Sequence, residues 1–313
     1  NIIMFLKPLI NPKPSIVLFF GFFSLIFAAI PLISFDINVS FGDFYFPPII
    51  VFFLSLIAPF FLSIGFNNLI YEKNILKKEN ILIGWVFVLL STPIINNVKL
   101  WLILFAFLFM TKFLFSSYQK DRPFSQLYNA SFILGVASFF YPSLAILLFL
   151  LVINTINYSN FSIRILIIIL LGFATPFLLS IIFCLLTNIN IRMPEVFKLD
   201  RFVFSQLNNL HFSKLSWLIV LIIILLFSFN ELFTWLYKKS IRSRKTFKTL
   251  IWFFFILITI SIFFGSQYLG FLLFPLSVII ANYFIYSKNR AIANLLFGLL
   301  LITSLSYRFW IVF

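Results

Sequence analysis

The sequence predicts an all-α fold: a polytopic helical membrane protein with about eleven transmembrane helices. Three observations carry this. From residue 123 to 163 the chain runs 41 residues without Asp, Glu, Lys or Arg, and from 249 to 287 it runs another 39. A bilayer core takes about 20 apolar residues per crossing, so each gap holds two crossings. The chain is 63% hydrophobic and 10% charged, whereas typical soluble chains carry about 25% charged residues. The Lys and Arg residues also sort by loop, as described below.

The elements follow in order. The first helix, about 15–34, is too long for the apolar region of a signal peptide. It also lacks a small-x-small cleavage site before the next span, so it reads as a retained helix. The second covers about 47–70, the third a short stretch of about 81–96, and the fourth about 99–117. The first charge-free gap gives the fifth and sixth, about 125–140 and 142–158, broken at Tyr141-Pro142. The seventh is about 164–186 and the eighth about 216–236. The second gap gives the ninth and tenth, about 250–265 and 270–286, and the eleventh is about 291–309. The third, fifth and ninth lie near the lower length limit, so ten spans with one re-entrant segment is the alternative. Residues 1–313 read as a single transmembrane helical domain, with little room for a separate soluble one.

Orientation follows from the charges. With the N-terminus inside, 17 of the 23 Lys and Arg residues fall on cytoplasmic loops. The other six, Lys99, Arg192, Lys198, Arg201, Lys214 and Arg308, fall outside. Cytoplasmic loops collect Lys and Arg, so the split favours N-in and C-out. The same rule accounts for the net charge of +15, which in a soluble domain would point to nucleic acid. The expected partners are therefore membrane lipids and not nucleic acid. The basic run Lys238–Lys245 reads as a topology anchor in contact with anionic lipid.

Two outer loops have substance. Residues 35–46 carry Asp36 and Asp43. A carboxylate at the lipid–water boundary can deprotonate an acceptor hydroxyl, or hold a divalent cation near a lipid phosphate. Residues 187–215 carry Arg192, Lys198, Arg201, His211 and Lys214. Cations at the interface can grip a phosphate headgroup, and Arg192, Arg201 and Lys214 are the candidates. The stretch from Pro194 to Val203 mixes apolar and charged residues as an interfacial helix does.

Other chemistry is sparse. His211 is the single histidine and Cys184 the single cysteine, which excludes a multi-histidine metal site, an intrachain disulfide and a thiolate cluster. There is no Walker motif, no GxSxG, no HExxH, and no haem, nucleotide or iron–sulfur motif. A divalent cation is the one cofactor left in view. Glu231 and Lys112 lie near span ends and can snorkel. Without deep intramembrane charges, an ion-coupled transporter is disfavoured. Gly135-Val-Ala-Ser138 and Gly172-Phe-Ala-Thr-Pro176 read as close helix packing.

The run from Asn129 to Ala145, with Gly135 and Tyr141-Pro142, followed by Arg164 and Leu171-Gly-Phe-Ala-Thr-Pro176, resembles an uncharacterised polytopic inner-membrane protein family of Bacteroidota. Lys7-Pro8 and Asn74–Asn80 agree with it in style. That resemblance implies a Gram-negative inner membrane and no established activity. The same region is similar, more weakly, to polyprenyl-phosphate-sugar glycosyltransferases, although only Gly135 of their paired glycines is present, with Ser131 at the other position. Their long first outer loop is also missing. This second resemblance implies a base or metal-ligand role at Asp36 or Asp43.

Three readings stay open. The first is an envelope-biogenesis protein, transferase-like, handling a lipid-linked sugar on a polyprenyl phosphate at the outer face. The second is a non-catalytic subunit or assembly factor of an envelope or secretion complex, held by a membrane protein partner. The third is a lipid or solute carrier. Whether the protein is an enzyme is left open by the residues themselves.

Overall fold

A computed structural model describes residues 6–33, 40–41, 44–45, 47–73, 75–76, 78–94, 97–187 and 211–312. In chain order its helices are α1 (Leu6–Leu9), α2 (Pro14–Ala29), α3 (Pro48–Glu72), α4 (Leu82–Leu90), α5 (Val98–Ser116) and α6 (Phe124–Phe140). They continue as α7 (Leu148–Asn157), α8 (Ile163–Thr187), α9 (Phe212–Leu236), α10 (Ile241–Phe264), α11 (Leu273–Tyr286) and α12 (Arg290–Val312). The 3-10 turns Ile30–Ile33, Pro142–Leu147 and Ser266–Leu272 extend α2 and lead into α7 and α11. A two-residue antiparallel ladder pairs β1 (Ser40–Phe41) with β2 (Phe44–Tyr45).

Among the described residues, eight helical stretches are long and apolar enough to cross a membrane: Pro14–Leu32, Pro48–Glu72, Val98–Ser116, Ile163–Thr187, Phe212–Thr234, Ile241–Phe264, Ser266–Tyr286 and Arg290–Trp310. Each of the eleven apolar segments read from the sequence contains a helix, but the third, fifth and sixth (α4, α6 and Pro142–Asn157) are not among these eight. The third is cut to nine residues in α4, roughly 14 Å long against a hydrocarbon core of about 30 Å. The ninth is not short: α10 runs 24 residues and begins at Ile241, inside the basic run.

Two compact units emerge. The first comprises Asn1–Trp101, Val203–Lys239 and Leu273–Phe313; the second comprises Leu102–Phe202 and Ser240–Leu272.

In the first unit α4 and α11 form the centre. The α4 sequence, LIGWVFVLL, is apolar on every face, and a helix of that kind is buried all round. All nine of its residues are buried, as is α11 from Leu273 to Ile285. α3 and α11 pack on α4, and α9 packs on α11 and α12. Aromatic rings fill the seams. Phe66 of α3 stacks on Phe274 of α11 at 4.2 Å, and Trp85 of α4 lies 4.6 Å from Phe23 of α2. At Gly84 an added Cβ would sit 3.2 Å from the Phe20 ring, so the glycine admits α2.

In the second unit the dominant pair is α6 against α8. A Cβ at Gly135 would lie 2.6 Å from the Phe173 carbonyl. One at Gly172 would meet Ser131 Oγ, and the Tyr128 carbonyl at 2.7 Å. The small residues let two backbones approach, as the sequence suggested. The break at Tyr141-Pro142 separates α6 from the 3-10 turn before α7.

The other faces of the long helices carry large exposed apolar side chains. In α8, Leu185 and Leu186 are 75% and 79% exposed, and Leu178 and Leu179 also point outward. Such a surface belongs against lipid tails rather than water.

Candidate functional site

The early end of α4 creates the most demanding polar problem in the first unit. A helix that stops within apolar surroundings leaves carbonyls without partners, and hydrocarbon supplies none. Here every described partner comes from the turn or from distant helices. Ser91 Oγ donates to the Val88 carbonyl at 2.7 Å, and Thr92 Oγ1 donates to the Leu89 carbonyl at 2.5 Å. Ser304 of α12 donates to the same Leu89 carbonyl at 3.3 Å, while accepting from Trp217 Nε1 of α9 at 3.1 Å. One turn further along α12, Arg308 donates from Nη2 to the Ser91 carbonyl at 2.9 Å and from Nη1 to the Ile94 carbonyl at 3.5 Å. Its guanidinium lies 4.8 Å over the Phe27 ring of α2.

Arg308 is 2% exposed and makes no ion pair among the described residues. Sequence reasoning placed it among the outer-side charges; the structure buries it. A signal was available, because Ser304 and Arg308 are four apart and so share one face of α12. Among the described residues, Arg308 Nε and Ser55 Oγ have no hydrogen-bond partner. Both residues line a cavity of about 10 Å³, together with Leu32 and Pro59, which is room for one water and nothing larger.

Asp36, Asp43, Arg192 and Arg201 lie outside the described residues. Their flanks do not. Leu32, four positions before Asp36, lines the Arg308 cavity. His211, the residue that follows segment 188–210, stacks on Trp310 at 4.2 Å with the rings 13° apart, two positions beyond Arg308. Its Nδ1 accepts from the Ser213 N–H at 3.4 Å. Lys214 is half-buried in the first turn of α9. Leu32 and His211, described residues that flank the two segments, thus both lie near the Arg308 end of α12.

The opposite end of α12 borders a larger cavity, about 280 Å³, between the ends of α9 and α11 and the start of α12. Glu231 and Lys288 line it, with Asn230 and Thr234, and Phe227 and Ile292 form apolar wall. Sequence reading treated Glu231 as a snorkelling residue near a span end and did not connect it with Lys288.

The second unit has its own polar cluster, where α5 ends, α7 ends and α10 begins. Thr249 Oγ1 donates to Asn154 Oδ1 at 3.0 Å, and Asn157 Nδ2 donates to Thr249 Oγ1 at 3.1 Å. Asn154 Nδ2 donates to Ser117 Oγ at 3.3 Å. Lys245 Nζ reaches Ser159 Oγ at 3.0 Å, and the Arg242 guanidinium sits 5.5 Å from the Tyr118 ring centre. Ser240 caps α10, its side chain accepting from Ser243 N–H. Part of the basic run is thus helical and holds its neighbours, beyond the anchoring role its charge suggested.

Among the described residues no three His, Cys, Asp or Glu side chains converge as a metal site would need.

The apolar helices define a multi-pass helical membrane protein. The chain belongs to a family of unknown function (DUF6427), which it matches over residues 15–312. No curated protein and no solved structure matches it.

Proposed function

We propose that the chain is an inner-membrane protein of cell-envelope biogenesis that handles a lipid-linked sugar at the outer face. One observation supports the reading: Leu32, four positions before Asp36, and His211, one position after segment 188–210, both lie near the Arg308 end of α12.

The chemistry assigned to that place is transfer from a polyprenyl phosphate. Asp36 or Asp43 takes the proton of an acceptor hydroxyl; as a ligand instead, it would hold a divalent cation that lowers the pKa of that hydroxyl, whose proton then passes to water. The freed oxygen attacks the anomeric carbon, and the polyprenyl phosphate leaves with the electrons of the broken bond. Arg192, Arg201 or Lys214 meets the charge on the departing phosphate. The proposal includes eleven crossings, with the N-terminus inside and the C-terminus outside, on the charge asymmetry of the loops. In this topology α4 and the turn after it act as one short crossing.

The test is the pair Asp36→Asn and Asp43→Asn, made together in the native host. Envelope glycans lose the sugar while protein level is unchanged. Unchanged glycans refute the reading.

A further inference from the structure

The cavity between α9, α11 and α12 carries a site independent of the reading above. It lies at the other end of α12 from Arg308, roughly 27 Å away at 1.5 Å per residue.

Four features define what fits. Glu231 and Lys288 both line the cavity, yet neither makes an ion pair with the other or with any described residue. Glu231 is half-buried and Lys288 exposed, so the carboxylate sits deeper and the ammonium at the rim. Asn230 and Thr234 add neutral donors and acceptors. Phe227 and Ile292 are 43% and 40% exposed on spanning helices, so the apolar wall continues toward lipid tails. The volume, about 280 Å³, falls just below the range of about 300–1,000 Å³ for sites that enclose a drug-sized ligand. It suits a headgroup and not a whole lipid.

A simple cation at this site meets Lys288, and a simple anion meets Glu231. A zwitterion satisfies both. We infer that the cavity seats an ethanolamine-phosphate headgroup, with the Glu231 carboxylate accepting from the ammonium and the Lys288 ammonium donating to the phosphate. Charge-assisted contacts of both signs favour this class over a lipid bearing a single negative charge. A primary ammonium supplies the N–H donors that a quaternary one lacks. Two sources share the chemistry: a membrane phosphatidylethanolamine, and a soluble glycerophosphoethanolamine.

The full-length chain in mild detergent, titrated with phosphatidylethanolamine or phosphatidylglycerol and read by native mass spectrometry, tests it. Wild type retains phosphatidylethanolamine about tenfold more strongly than phosphatidylglycerol, the order expected of one charge-assisted hydrogen bond. Glu231→Gln, which keeps size and shape, erases the preference. Lys288→Gln, at an exposed position, weakens retention of phosphatidylethanolamine about tenfold with no change in Tm. Glycerophosphoethanolamine that displaces the lipid at equal concentration assigns the site to the soluble source; failure to displace it assigns the site to the bilayer. Equal retention of the two lipids by wild type overturns the inference. So does wild-type retention of phosphatidylethanolamine in both variants.

Discussion

The Arg308 guanidinium donates from Nη2 to the Ser91 carbonyl at 2.9 Å, across 217 positions of sequence. A cation near a helix C-terminus satisfies leftover carbonyls and the negative end of the helix dipole together. Here the helix is only nine residues long and ends among apolar neighbours, so no solvent substitutes for the arginine. Arg308→Ala is expected to lower stability by roughly 2–4 kcal/mol, since it removes both contacts and leaves the Ile94 carbonyl without a described partner, while the Ser91 carbonyl keeps the Ile94 N–H. Arg308→Lys recovers part of the loss, because one ammonium cannot fork between the Ser91 and Ile94 carbonyls. Thermal unfolding in detergent measures both, and an unchanged Tm for the alanine variant contradicts the capping role.

The α6–α8 contact makes a graded prediction. Gly172→Ala forces a methyl against the Tyr128 carbonyl and Ser131, and is expected to destabilise by about 1–3 kcal/mol. Gly298 of α12 has nothing within 4 Å of an added Cβ. Gly298→Ala is therefore neutral, or stabilising by up to about 1 kcal/mol. If both alanines behave alike in the same unfolding assay, the small residues are not there for close approach.

Asn282 is buried in α11, and its amide oxygen and nitrogen both lack hydrogen-bond partners among the described residues. An apolar side chain of similar size removes that desolvation without creating a hole. Asn282→Leu is expected to raise stability by about 1–2 kcal/mol. A fall in Tm indicates that the amide has a partner or a role in the working protein.

In the second unit, Thr249 bridges Asn154 and Asn157 at one buried end of α10. Thr249→Val keeps the shape and removes the hydroxyl, at an expected loss of about 1–3 kcal/mol. Paired with Asn154→Leu in a double-mutant cycle, it gives a coupling of about 0.5–3 kcal/mol. Additive losses mean that the hydroxyl and the amide act separately.

Much of the helical layout was legible in the sequence. Continuous apolar runs marked α3 within two residues at each end, and the break at Tyr141-Pro142 stands where the text put it. What escaped depended on distant partners. The apolar text continues past Leu90, so the third helix looked longer; its stop is completed by Ser304 and Arg308, more than 200 positions away. α10 begins before its apolar stretch because Ser240 caps it and Thr249, Thr246 and Lys245 find partners on α7 and just beyond it. At the candidate site, the sequence could name charged residues in loops but not which loop ends meet. The stacking of His211 on Trp310 sets one of those ends beside Arg308, and no local pattern announces a contact of that range.

The measurement that tests the central claim most directly is purification from native membranes in mild detergent, with mass spectrometry of everything retained. The account predicts a bound polyprenyl-phosphate lipid or lipid-linked sugar. It also predicts loss of that lipid when Arg192, Arg201 and Lys214 are replaced together by Gln. A stoichiometric protein partner with no such lipid contradicts it, and makes the chain a structural subunit of that partner's complex.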